Sequence, residues 1–221
     1  MGEWIYRTSV EQDWVSLFYF INLVFIVGLH FSEPNRFWDL LKSFSSTIYF
    51  SKYSTDQNLT FRGFFNLFSG LLILSNLSLL LKLGIEEISK NPLYAFEFYY
   101  ILLGIAFIVL LRFIGIQFIL RQIDKLNKIN IYHFKAFTQN TQFSLLLFLL
   151  LFIKHYTSLS IEVTLGLLIL LFLLWLFMQV RILLSFIIIN PKQIFYLIFY
   201  LCTVKIAPWF WLYFFIIETR L

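Results

Sequence analysis

The sequence predicts an all-α fold: a polytopic membrane helix bundle of about six transmembrane helices with one or two amphipathic helices lying in the interface. Three observations carry this. The chain is 60% hydrophobic and 13% charged over 221 residues, whereas soluble domains average about 45–50% and about 25%. Several apolar runs approach or exceed the roughly 20 residues that cross a bilayer core. The basic residues sit mostly in short connections between those runs. The net charge of +5 is therefore read as positive-inside loops and not as a nucleic-acid surface. The whole chain, 1–221, reads as one integral membrane domain.

Residues 1–13 are short and acidic, with only Arg7 basic. The first span is Trp14–Phe31. It has neither a basic n-region before it nor a small-residue cleavage site after it, so it is expected to be retained. Its Trp14 and Tyr19 are expected in an aromatic belt at the membrane edge. Next, Ser32-Glu33-Pro34 offers a capping hydroxyl, an acid and an early proline, which together start a helix. Over Glu33–Ile48 the residues Phe37, Leu40, Leu41, Phe44 and Ile48 recur at helical spacing, with Arg36, Asp39, Lys42 and Ser43 on the other side. This is expected to be an interfacial helix lying flat on the membrane. Its alternative is a docking site for a partner protein.

The second span, Phe64–Leu83, carries Asn66, Ser69, Ser75, Asn76 and Ser78. Its polarity, with Gly70, Ser75 and Ser78 as small residues for close approach, places it inside the bundle. The third, Ala95–Leu120, carries Glu97 and Arg112. Fifteen helical residues set these two about 22 Å apart, too far to pair. Arg121–Asn140 is basic and amphipathic and reads as a second surface-lying segment. The fourth span is Gln142–Ile153, extended into the preceding polar stretch. The fifth runs from Ile161 to about Leu183. Arg181 interrupts it, and no polar residue falls between Thr164 and Gln179, so it faces lipid widely. The sixth is Ile194–Ile217, with Lys205 at mid-depth and Pro208 three residues on.

A cation at mid-span costs about 2.5–3.5 kcal/mol on insertion scales. Lys205 is thus expected to face the interior, with Asn76 as its partner. Pro208 removes a helical N–H and should kink the helix. Six spans put Arg7, Lys82, Lys90, Lys154 and Arg220 on one side. Ten basic residues lie on the other: Arg36, Lys42, Lys52, Arg62, Arg121, Lys125, Lys128, Lys135, Arg181 and Lys192. The asymmetry places both termini outside the cytoplasm.

Chemistry is sparse. One cysteine, Cys202, excludes an intrachain disulfide and a cysteine metal cluster. The histidines His30, His133 and His155 are scattered, without haem or zinc spacing. No nucleophile comes with a base and an orienting group. No catalytic residue, metal or cofactor is expected. What remains is intramembrane polarity at Glu97, Arg112, Arg181, Lys205 and Asn76. These either fix helix register or line a path for an anionic lipid or substrate.

Four stretches carry a resemblance. They are Gln12-Asp13-Trp14-Val15, Glu33-Pro34-Asn35-Arg36-Phe37, Phe64-Phe65-Asn66-Leu67-Phe68, and Tyr200-Leu201-Cys202-Thr203 continuing to Ala207-Pro208. In these the chain resembles the polytopic inner-membrane proteins of Bacteroidota that form a domain-of-unknown-function family. The resemblance covers nearly the whole chain. It implies an inner-membrane location, and a glutamate as the usual residue where this chain has Lys205. It implies no activity and no catalytic residue. The expectation is a non-enzymatic membrane subunit or scaffold of a cell-envelope complex, with other membrane subunits, the bilayer and anionic lipid as partners. The alternative is a small transporter or a carrier of an anionic or lipid-linked substrate.

Overall fold

A computed structural model describes residues 13–42, 48–53, 63–89, 95–121, 126–157 and 159–189, and every regular element among them is an α-helix. In chain order these are α1 (Asp13–Ser32), α2 (Pro34–Lys42), α3 (Ile48–Tyr53), α4 (Phe64–Ser89), α5 (Ala95–Arg121), α6 (Leu126–Tyr156) and α7 (Ile161–Ile189). Four stretches are long and apolar enough to cross a membrane: Trp14–Ser32, Phe64–Glu86, His133–Tyr156 and Ile161–Ile182. The expected third span lies in α5, whose described apolar stretch is Phe98–Leu111. The expected sixth span, Ile194–Ile217, lies outside the described residues.

The polar second span is the centre of the bundle, as its small and polar residues predict. Helix α4 packs against α1, α6 and α5, and α7 is held by α6. Gly28 meets Phe68 and Asn22 meets Ser75, so α1 and α4 are antiparallel. Asn76 and Leu72 both bond Ser144, while Phe65 and Phe134 both face Arg36. Helices α4 and α6 therefore run parallel. The close approach is made at Gly28, where an added Cβ would sit 3.0 Å from the Phe68 ring. Gly70, expected to serve that purpose, faces open space.

Apolar packing falls into two clusters. Leu29, Phe37, Leu40, Tyr49, Phe65 and Leu72 belong to one, at the α2–α3 end. Val15, Tyr19, Leu79, Phe98, Phe148 and Leu151 belong to the other.

Several expectations change. The polar stretch before the fourth span does not lie on the surface from His133 onward. It continues a single helix, and Phe134, Ala136, Thr138 and Gln139 are buried. Thr138, Gln139, Thr141, Gln142 and Ser144 turn inward; Gln142 and Ser144 find partners on other helices that lipid would not supply. Tyr19 lies near one end of the bundle, its ring 5.1 Å from that of His155, but it does not face outward. It is buried, and its hydroxyl donates to the Leu151 carbonyl oxygen at 3.1 Å. Arg181 does not interrupt α7, which runs unbroken to Ile189.

Of the expected Glu33–Ile48 helix, α2 covers Pro34–Lys42, and residues 43–47 lie outside the described residues. In α2, Pro34 takes the first position, where its missing N–H costs nothing. The Glu33 carbonyl, not the Ser32 hydroxyl, accepts from Phe37 N at 3.0 Å. Ile48 begins α3, and Phe44 lies outside the described residues. Helix α2 turns Phe37 and Leu40 onto α1 and α6, leaving Trp38 and Leu41 exposed.

Candidate functional site

A polar seam runs along α4 between α1 and α6, with a charged node at each end. The first node is Arg36, whose side chain is 3% exposed. Its Nε donates to the Tyr49 hydroxyl at 3.2 Å, Nη1 to Glu33 Oε1 at 3.1 Å and Nη2 to Asn66 Oδ1 at 3.0 Å. The guanidinium also lies 4.2 Å from the Phe65 ring centroid. A planar fork with several donors on an aromatic face is what arginine supplies and lysine does not. Arg36 thus ties α2 to α3 and to α4. Burial pushes the Tyr49 hydroxyl above its ordinary range, against the pull of the Arg36 charge. Outside the node, Lys52 donates to Asp39 Oδ2 at 2.6 Å and Tyr53 to the same oxygen at 2.9 Å. The Lys52 hydrogen bond holds the Asp39 carboxyl below the usual carboxylate range.

The middle of the seam is neutral. Asn22 Nδ2 donates to Ser75 Oγ at 2.9 Å. Asn76 Nδ2 donates to Ser144 Oγ at 2.9 Å and to the Ser144 carbonyl at 3.0 Å. Gln142 Nε2 reaches the Leu40 carbonyl at 2.8 Å, which locks α6 to α2. At the far node Lys82 Nζ pairs with Glu86 Oε2 at 2.7 Å and lies 5.3 Å from the Trp14 ring centroid. Ser16 Oγ meets His155 Nε2 there at 3.4 Å. On the outside, Asn140 Oδ1 accepts from Trp175 and Gln179, fastening α7 to α6.

Of the residues singled out in the sequence, the side chains of Asn76 and Arg181 are described. Asn76 is fully buried at the middle of the seam. Arg181 is exposed on α7. Glu97 and Arg112 belong to α5, and their side chains are outside the described residues. So are Lys205 and Pro208, and with them the expected Lys205–Asn76 contact and the kink. Among the described residues no group of three His, Cys, Asp or Glu side chains is arranged to hold a metal ion.

Sequence reasoning missed Arg36, which it placed on the water side of α2. The signal was there: Arg36 and Leu40 are four apart and share a face, and Phe37 completes the stripe. The buried face is thus rotated by about one residue from the expected one. Asn22, alone among apolar neighbours in the first span, was the other available signal.

Comparison with curated proteins and with solved structures gives no match. Residues 15–216 match a family model described as a domain of unknown function, DUF4271. The expected likeness to a domain-of-unknown-function family thus has its counterpart over nearly the full length, and the chain belongs to the DUF4271 family.

Proposed function

We propose that the chain is a non-enzymatic subunit or scaffold of a cell-envelope complex in the inner membrane of a Gram-negative cell, with both termini periplasmic. One observation carries the reading. Charged groups of the described bundle gather at its two ends, while its middle holds only amide–hydroxyl pairs, Asn22 with Ser75 and Asn76 with Ser144. Such pairs fix helix register but neither ionise nor attack a substrate at ordinary pH. The outer helix α7 supports the assembly part. It is joined to α6 and presents Ile169, Leu173 and Phe177 outward. The orientation rests on the basic residues, five on one side and ten on the other.

Photo-crosslinking residues introduced at Leu173 and Phe177 in native membranes test the reading. One defined protein adduct, lost when that protein's gene is deleted, is the expected result. Lipid adducts alone at both positions would count against it. The second reading, a small carrier of an anionic or lipid-linked substrate, is favoured by the unpartnered polar atoms in the seam. It predicts substrate-dependent changes in crosslinking along α4.

A further inference from the structure

The seam has more hydrogen-bonding capacity than its protein neighbours use. Asn22 and Asn76 spend their amide nitrogens on Ser75 and Ser144, yet the Oδ1 of each meets no partner among the described residues. The same holds for Ser69 Oγ, for both ends of Gln139 and for His30 Nδ1. Asn22, Ser69 and Asn76 are fully buried, and Gln139 is 3% exposed.

These atoms are not scattered. Ser69 and Asn76, seven residues apart on α4, are separated by about 10.5 Å. Gln139 lies five residues before Ser144 on the parallel helix, about 7.5 Å toward the Arg36 end. His30, its ring 5.6 Å from that of Phe37, stands beside the Arg36 node. Every one therefore falls between that node and the middle of the bundle. From the middle to the far node the described polar groups are closed. Ser78 donates to Leu74, Tyr19 to Leu151 and Lys82 to Glu86.

Unmatched carbonyls and hydroxyls are costly away from water, so a bound species satisfies them. The chemistry narrows what it is. Free Oδ1 atoms call for a donor or a cation. Gln139 needs an acceptor as well, for its Nε2, and a bare cation cannot accept. Water does both, and buried water typically holds two to four such bonds.

We propose that a one-ended file of ordered water enters the seam beside Arg36 and stops at Asn22 and Asn76, making a hydrated half-path to mid-membrane. The apolar cluster of Leu79, Phe148 and Leu151 closes it beyond that point. The inference rests on the seam itself and not on the assembly reading.

Radiolytic hydroxyl labelling of the wild-type protein in nanodiscs tests it, because radicals form where water is bound. Leu72, fully buried between Ser69 and Asn76, should be oxidised at least about tenfold faster than Leu151, which is 1% exposed. The shared side-chain chemistry removes intrinsic reactivity from the comparison. The double variant Ser69→Ala, Gln139→Leu should bring Leu72 down to the Leu151 rate. Replacing sodium by choline should change nothing. Equal rates for Leu72 and Leu151 in the wild type would overturn the proposal. So would a rise in Leu72 labelling when sodium is withdrawn, which would give the site to a cation.

Discussion

Replacing Arg36 by methionine keeps the length of the side chain and removes its charge and every donor. Two bonds to buried neutral groups are lost, to Tyr49 and Asn66, together with the stacking on Phe65. Hydrogen bonds to a charged group contribute about 1.5–3 kcal/mol each. Two effects pull the sum down. Tyr49 keeps a second hydrogen-bond partner in Thr138, and the variant no longer has a cation to desolvate. Glu33, at 38% exposed, is left in reach of water and contributes no more than an ordinary surface partner, under about 1 kcal/mol. The net loss should be about 2–4 kcal/mol, which at about 2–4 °C per kcal/mol for a chain of this size lowers Tm by about 4–16 °C. Thermal unfolding of the purified protein in mild detergent measures it. Arg36→Lys should fall between, since the charge stays and the fork is lost. Glu33→Gln should cost much less than Arg36→Met. If Arg36→Met melts like the wild type, or Glu33→Gln costs as much, the guanidinium is not what holds α2 and α3 to the bundle.

A double-mutant cycle on Asn76→Leu and Ser144→Ala, read by the same unfolding, should give a coupling of about 0.6–1.7 kcal/mol. Gly28→Val should destabilise by about 1–3 kcal/mol through the Phe68 ring and be rescued by Phe68→Ala, while Gly70→Ala should be harmless or slightly stabilising. The Asp39–Lys52 link should give α3 a pH-dependent hydrogen-exchange protection factor. The carboxyl is held low, so its share is present above the unfolded carboxylate range and is lost as pH falls through the folded value. The Lys52 amine is held high, so its share is present below the unfolded lysine value and is lost as pH rises through the folded one. Asp39→Asn should remove the acid limb. Fusion of a periplasmic phosphatase to the C-terminus should be active and a cytoplasmic reporter silent. The reverse would overturn the orientation drawn from basic-residue asymmetry.

Long apolar runs made the helices from Trp14, Phe64 and Ile161 legible as ones able to cross a membrane, because lipid demands length and apolarity before anything else. The interior position of α4 was legible too, since Asn66, Ser69, Ser75 and Asn76 have no place facing lipid. The extent of α6 was not. Periodicity alone does not separate a polar face turned to water from one turned to another helix, and the inward run from Thr138 to Ser144 looks the same in both cases. Arg36 was misplaced for a related reason. A buried cation is exceptional, and Tyr49, Asn66 and Phe65, which make it tolerable, come from three separate places in the chain. The hydrogen bond of Tyr19 was not legible either, since its acceptor, the Leu151 carbonyl, is a backbone group with no sequence signature.

The placement of charge accounts for the use of asparagine and serine between the nodes. Asn66, which Arg36 binds, and Lys82 are sixteen residues apart on α4, about 24 Å. That approaches the hydrocarbon thickness of a bilayer, about 30 Å. Ionised groups at these positions fall near the two ends of such a span, and one placed midway would not. An ion pair there would face the full desolvation penalty and would break whenever one partner changed protonation. Amides and hydroxyls escape both problems. They supply direction and spacing, so Asn22 selects Ser75 and Asn76 selects Ser144, and they hold that register at any ordinary pH. Their remaining lone pairs still need donors, and it is this residue of demand that makes the middle of the bundle hospitable to water. The same feature that aligns α1, α4 and α6 without charge therefore wets the seam from the Arg36 end.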